Sequence, residues 1–212
     1  MTETAPAAPG TRVAMKEHHR QVLIDAAADA ILQHGLAGVS VSKIVDRAQL
    51  SRGMVNLHFS SKTKLLQAVA QKFSDEYVSN WQRAMAAAGE DPAERLRAII
   101  SADFDPVVLN RRTMAVWMAF RGEAQSTTDY LPYIDSRDRR MRSAIHDICA
   151  ELAADGPYPD INPSYAALAL MALLEGLWTD FHLHPDVFKR DEARRIVLHT
   201  ARALFPRHFT AG

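Results

Sequence analysis

"AGVSVSKIVDRAQLSRGMVNLHFSSKTKLLQAV" occupies residues 37–69. Ser40 is a good N-cap for a short helix that turns Val41, Ile44, Val45 and Ala48 inward. That helix can last only about two turns before Gln49-Leu50-Ser51 interrupts it. Ser51 can then cap a second short helix, "RGMVNLHF", with Val55, Leu57 and Phe59 available to a core. Ser60 or Ser61 caps a third, beginning at Lys62. Two short helices joined by a tight turn form a helix-turn-helix, whose second helix enters the DNA major groove. On spacing alone the same pattern also fits one corner of a helical bundle. The flanks decide between them.

Upstream, Val22, Leu23, Ala26, Ala27, Ala30 and Ile31 fall at helical spacing within residues 13–34, and Gly35 suits a left-handed C-cap. Downstream, Leu65, Leu66, Val69, Phe73, Tyr77 and Trp81 line one side of a long helix over 62–88. Asp91-Pro92 starts a further helix, and Asp105-Pro106 marks another break. Helices follow around Met114–Phe120, over 130–154 with a charged middle ("DSRDRRMRS"), over 163–182 and over 189–204. No alternating strand pattern occurs, so the expected fold class is all-α with about nine helices. The expected organisation is an arm at 1–12, a three-helix helix-turn-helix domain at 13–60 and a larger helical domain at 61–212.

Composition agrees with a folded, non-membrane chain: 48% of the 212 residues are hydrophobic and 24% charged. The start, "MTETAPAAPGT", lacks the basic and continuous apolar regions of a signal peptide, and no unbroken apolar run reaches spanning length. A cytoplasmic location is expected. The single Cys149 allows no internal disulfide. Net charge is zero, yet residues 1–64 hold eight Lys/Arg against five Asp/Glu. A basic head on an acidic body suits contact with a polyanion.

The 37–69 stretch resembles the DNA-binding domain of TetR-type transcriptional repressors. Ile44, Ala48, Ser51, Gly53, His58, Phe59, Lys62 and Leu65 fall in register with that family's pattern. "RLRAIISADFD", "MAVWMAF", "SRDRRMRSAI" and "LLEGLWTD" resemble the C-terminal domain of the BetI-like branch, repressors of betaine synthesis that respond to choline. The resemblance implies a homodimer on double-stranded, palindromic operator DNA, controlled by a small-molecule effector and needing no cofactor or metal.

Mapped onto this sequence, the base-reading positions fall on Arg52, Gly53, Met54 and Asn56. Arg52 suits guanine and Asn56 adenine in the major groove; Met54 suits a thymine methyl, and Gly53 lets the backbone approach. Ser42, Lys43, His58 and Lys62 are candidate phosphate contacts, Lys62 also standing at a helix N-terminus, and Ser51 is a further candidate DNA contact. The family usually has Tyr where Asn56 stands and an aromatic where Leu57 stands.

Apolar residues cover nearly the whole circumference of "PSYAALALMALLEGLWTDF", so this helix needs more than one packing surface. With the last helix it gives an expected dimer interface of Leu170, Leu174, Leu177, Ile196, Ala201 and Leu204. A quaternary ammonium is held by aromatic faces and a carboxylate. Trp117, Tyr130 and Trp178, with Glu175 balancing charge and Phe120 and Tyr133 near them in sequence, are the candidate cage. Against choline stands Arg121, where the branch often has an aromatic; a guanidinium there would favour an anionic or zwitterionic effector. An effector that prefers the conformation with the heads too far apart lowers DNA affinity by that preference, and the helix beginning at Lys62 is the natural lever.

The sequence holds no Gly-x-Ser-x-Gly, no Gly-rich phosphate loop and no His-Glu-x-x-His, so no catalytic residues are expected. His146 and Cys149 share a helix face but lack further ligands for a metal.

Overall fold

Residues 9–123 and 128–209 are described by a computed structural model, with side chains from Val13 onward. Among them every regular element is an α-helix, nine in all: α1 (Pro9–His34), α2 (Val41–Ala48), α3 (Arg52–Phe59), α4 (Lys62–Ala87), α5 (Pro92–Asp103), α6 (Arg111–Glu123), α7 (Leu131–Asp155), α8 (Pro163–Leu183) and α9 (Arg190–Leu204). The all-α expectation holds. The helix expected from Val13 starts four residues earlier, because Pro9 is tolerated in a first turn. The rest of the expected arm, residues 1–8, lies outside the described residues.

The chain divides into two units. The first holds the chain up to Gln71 together with Ala115–Tyr130. Here α1, α2 and α3 pack on one another, burying Leu23, Ala27, Ile31, Ile44, Val55 and Phe59 to 7% exposure or less. Gly35 closes α1 with φ +64, and its amide donates to the Ile31 carbonyl at 2.8 Å. Gly38 serves close approach instead: a Cβ there would lie 2.3 Å from the His34 carbonyl oxygen. Ser40 caps α2 as expected, accepting from the Lys43 amide at 3.3 Å. Gln49 then reverses the chain in the left-handed region (φ 53), so that Gln49-Leu50-Ser51 is the whole turn between α2 and α3. Ser51 is the N-cap residue of α3 but makes no capping hydrogen bond, whereas Ser61 Oγ accepts from the Lys64 amide at the start of α4.

The second unit holds Lys72–Met114 and the chain from Leu131. α7 packs on α8 and α5, and α9 on α8 and α5. Leu96, Ile99, Ile100, Ile145, Leu170 and Val197 are at 0% exposure. Asp91 caps α5 through the Ala93 and Glu94 amides, and Asn162 caps α8 through those of Ser164 and Tyr165, each ahead of a proline in the first turn. By length and composition α8 reaches what a membrane span needs, although no unbroken apolar run does; 39% of its most apolar window is buried within the chain.

Candidate nucleic-acid interface and effector region

α3 shows two faces. Val55 (1% exposed) and Phe59 (7%) lock it onto the core, and Arg20 lies over the Phe59 ring at 5.3 Å. The opposite face leaves Ser51, Arg52, Gly53, Asn56 and Leu57 exposed and Met54 half-buried. Leu57, expected as a possible core residue, is 65% exposed because it falls on the outward side of a two-turn helix. Arg52 folds back onto α2, its Nη2 donating to Ser42 Oγ at 2.5 Å.

Two expected phosphate ligands are engaged within the chain. Lys43 Nζ donates to the Gly38 carbonyl at 2.8 Å and Lys62 Nζ to the Val39 carbonyl at 2.5 Å. Both lysines therefore hold the α1–α2 corner. His58 is half-buried and neither ring nitrogen has a hydrogen-bond partner. Burial lowers its pKa first, and the neighbouring His19, Lys16 and Arg20 lower it further. The ring is thus held neutral against α1, a packing role more than an exposed contact.

The expected effector residues are divided between the units. Trp117, Phe120, Arg121 and Tyr130 belong to the first; Tyr133, Glu175 and Trp178 belong to the second. Trp117 and Phe120 are fully buried, and the Phe120 ring lies 4.7 Å from that of Tyr130. Arg121 and Tyr133 are half-buried. Glu175, expected to balance charge within the cage, is exposed. The packed stripe of α8 runs through Leu170, Leu174, Trp178 and Phe181, and Glu175 lies off it.

In the second unit the charge partner of the aromatics is a pair that sequence reasoning missed. Asp103 ends α5 at 2% exposure and Arg137 lies inside α7 at 5%. Tyr77 Oη donates to Asp103 Oδ1 at 2.6 Å. The Arg137 guanidinium sits 3.9 Å from the Tyr77 ring centroid and 4.7 Å from that of Trp178. Those two rings meet edge to face, 5.4 Å apart at 88°. Burial pushes the Asp103 carboxyl up to about 6, although Tyr77, Arg137 and the Trp178 indole pull it down. Burial and the Asp103 charge likewise raise the Tyr77 hydroxyl well above its ordinary value. One signal was available: Arg137 falls on the stripe Ile134–Arg137–Met141–Ile145, all of them buried.

The expected interface residues separate by the same test. Leu170 and Ala201 are at 0% exposure and Leu174 at 3%, so their side chains are used inside the chain. Leu177 and Leu204 are half-buried and Ile196 is 44% exposed. The outward apolar surface is carried instead by Tyr165 (73%) and Leu168 (53%) on α8. Of the weak metal pair, Cys149 is fully buried, its thiol pushed up to about 12 by desolvation, while His146 faces Asp147 at the surface.

Residues 23–69 match the family described as bacterial regulatory proteins, tetR family, and residues 92–206 match BetI-type transcriptional repressor, C-terminal. The chain belongs to the TetR family. Within it, the larger half is of the BetI type. The HTH-type transcriptional regulator BetI of Burkholderia cenocepacia is 33% identical over 167 residues, covering 79% of this chain and 84% of that one. BetI of Paraburkholderia phymatum is 32% identical over 185 residues, covering 87% and 92%. Among solved structures, a protein of Pseudomonas aeruginosa PAO1 described as a transcriptional regulator superposes with TM-score 0.81 at 27% identity, covering 92% and 95%. At 19% identity, the fold is also that of AibR (TM-score 0.67, covering 89% and 98%), a protein solved in complex with isovaleryl coenzyme A and operator DNA. This TetR-family chain is therefore a BetI-like transcriptional regulator, a class of DNA-binding proteins and not of enzymes.

Proposed function

We propose that the protein is a cytoplasmic, sequence-specific repressor that binds a palindromic operator as a homodimer and leaves it when a small molecule binds the body. The observation that carries this reading is α3. Its inner face is fixed by Val55 and Phe59, while Arg52 and Asn56 stand on its exposed face with the side chains that read guanine and adenine. Arg52 must release Ser42 to reach a base, and an exposed hydrogen bond from a guanidinium to a hydroxyl is worth no more than about 1.5–3 kcal/mol, which a base or phosphate acceptor replaces. Two such heads about one helical turn apart would read a palindrome. The outward apolar face of α8 around Tyr165 and Leu168, with Ile196 of α9, supports the homodimer.

A gel shift with the protein's own upstream DNA tests this. Arg52→Ala should weaken operator binding by about 5- to 150-fold, the worth of one bidentate base contact, while leaving thermal unfolding unchanged. Wild-type-like binding by that variant would remove α3 as the reader.

Two effector classes divide the body. The resemblance to BetI supports choline or another quaternary ammonium. One observation favours the other class, an anionic or zwitterionic molecule: the guanidinium of Arg137 already lies against the aromatic faces of Tyr77 and Trp178. Calorimetry with choline decides between them. No heat and no shift in melting temperature at millimolar choline would end the quaternary-ammonium reading.

A further inference from the structure

Tyr77 on α4, Asp103 at the end of α5, Arg137 on α7 and Trp178 on α8 converge from four helices of one unit. All four are at least nine-tenths buried. Two perpendicular aromatic rings and a buried carboxylate are the parts that recognise an organic cation: ring faces attract positive charge, and the carboxylate neutralises it. In this chain the cation is already present. The guanidinium lies 3.9 Å from one ring centroid and 4.7 Å from the other, in the angle between them. Asp103 is fixed by the Tyr77 hydroxyl at 2.6 Å, and Arg137 Nη1 also reaches Asp138 Oδ1 at 3.2 Å. The Trp178 indole holds the Asp103 carboxyl down, and its ring face meets the guanidinium.

We propose that Tyr77, Trp178 and Asp103 form an organic-cation cage whose occupant is the chain's own Arg137, making Arg137 the residue that decides which effectors this body accepts. While the guanidinium is in place, a small organic cation has no open ring face beside Asp103 to bind. Cutting the side chain back vacates both ring faces. The cage itself stands on the geometry alone; its bearing on effectors rests on the repressor reading above.

Thermal unfolding of the full chain tests this with methylguanidinium and tetramethylammonium as probes, against sodium chloride at equal concentration. Wild type should show no shift with either probe. Arg137→Ala should melt lower, and millimolar methylguanidinium or tetramethylammonium should restore part of the loss saturably, as a ligand that binds only the folded state does. Adding Trp178→Leu to that variant should abolish the restoration. A folded Arg137→Ala protein that neither probe shifts overturns the cage, as does a wild type shifted as much as the variant. If Arg137→Ala is recovered unfolded, return of its helical circular dichroism on adding methylguanidinium supports the cage, and failure to return overturns it. Operator binding of the wild type is read separately by fluorescence anisotropy. Its absence would remove the repressor reading without touching the cage.

Discussion

The head and the body place their charged side chains in opposite ways. On α3, Arg52 and Asn56 are exposed, while Val55 and Phe59 are buried and His58 packs against α1. In the body, Asp103 and Arg137 are sealed among aromatic rings. The head can exchange its internal contacts for external ones at small cost, while the body cannot lose a member of its cluster without exposing an uncompensated charge or a void. Recognition of a large partner therefore suits the first, and discrimination among small molecules suits the second.

The sharpest break of this contrast is to truncate one residue in each region. Trp178→Ala should lower the unfolding free energy by about 3–5 kcal/mol, the usual cost of emptying a buried aromatic site. Asn56→Ala should stay within about 0.5 kcal/mol, as exposed substitutions do. Urea denaturation of the two variants reads both values, and equal costs would erase the distinction. For the same reason Trp178→Ala, the obvious variant for testing loss of induction, is a poor one, because it removes packing along with any ligand contact.

Next in size is the pH dependence that Asp103 imposes. Its carboxyl is raised from 3.8 to about 6, so the folded chain holds a proton the unfolded chain has released. That contribution is fully present below about pH 4 and is lost as pH rises through 6, a swing of about 3 kcal/mol. Asp103→Asn should remove it. The measurement is unfolding free energy of wild type minus variant between about pH 4 and 7; a flat difference would mean that the carboxyl is not desolvated.

The head should give the smallest effect, with the opposite sign. His58 is lowered from 6.5, so its contribution is present above that value and is lost as pH falls through the folded pKa. Lys16, His19 and Arg20 all oppose its protonation, with Glu17 acting weakly the other way. His58→Gln should therefore gain on wild type as the solution is acidified. Urea midpoints taken across that range check this, and parallel profiles would exclude it.

Much of the head was legible because its signals are local. Ser40 before Val41, Gly35 after His34 and the spacing of Ile44, Val45, Val55 and Phe59 each depend on only a few neighbours in the chain. The body was legible as helices but not as sites. α8 is apolar on nearly every side, so spacing could not say that Leu170 and Leu174 pack inward while Tyr165 and Leu168 face out. Glu175 is an acid in an apolar helix, yet among the described residues the buried acid is Asp103, which ends a different helix. Arg137 was hidden in a charged run, "DSRDRRMRS", where only its position on the apolar stripe marks it. Sites assembled from α4, α5, α7 and α8 depend on contacts between residues far apart in sequence, which no local window contains.

The corner held by Lys43 and Lys62 has a thermodynamic consequence. Each ammonium rests on a backbone carbonyl, those of Gly38 and Val39. Binding to DNA draws much of its strength from small cations set free when protein charges replace them along the phosphates. A lysine that stays on its own carbonyl frees none. The affinity of this head for DNA should therefore fall less steeply with added salt than a count of its basic residues implies, leaving more of the binding to the bases that α3 reads.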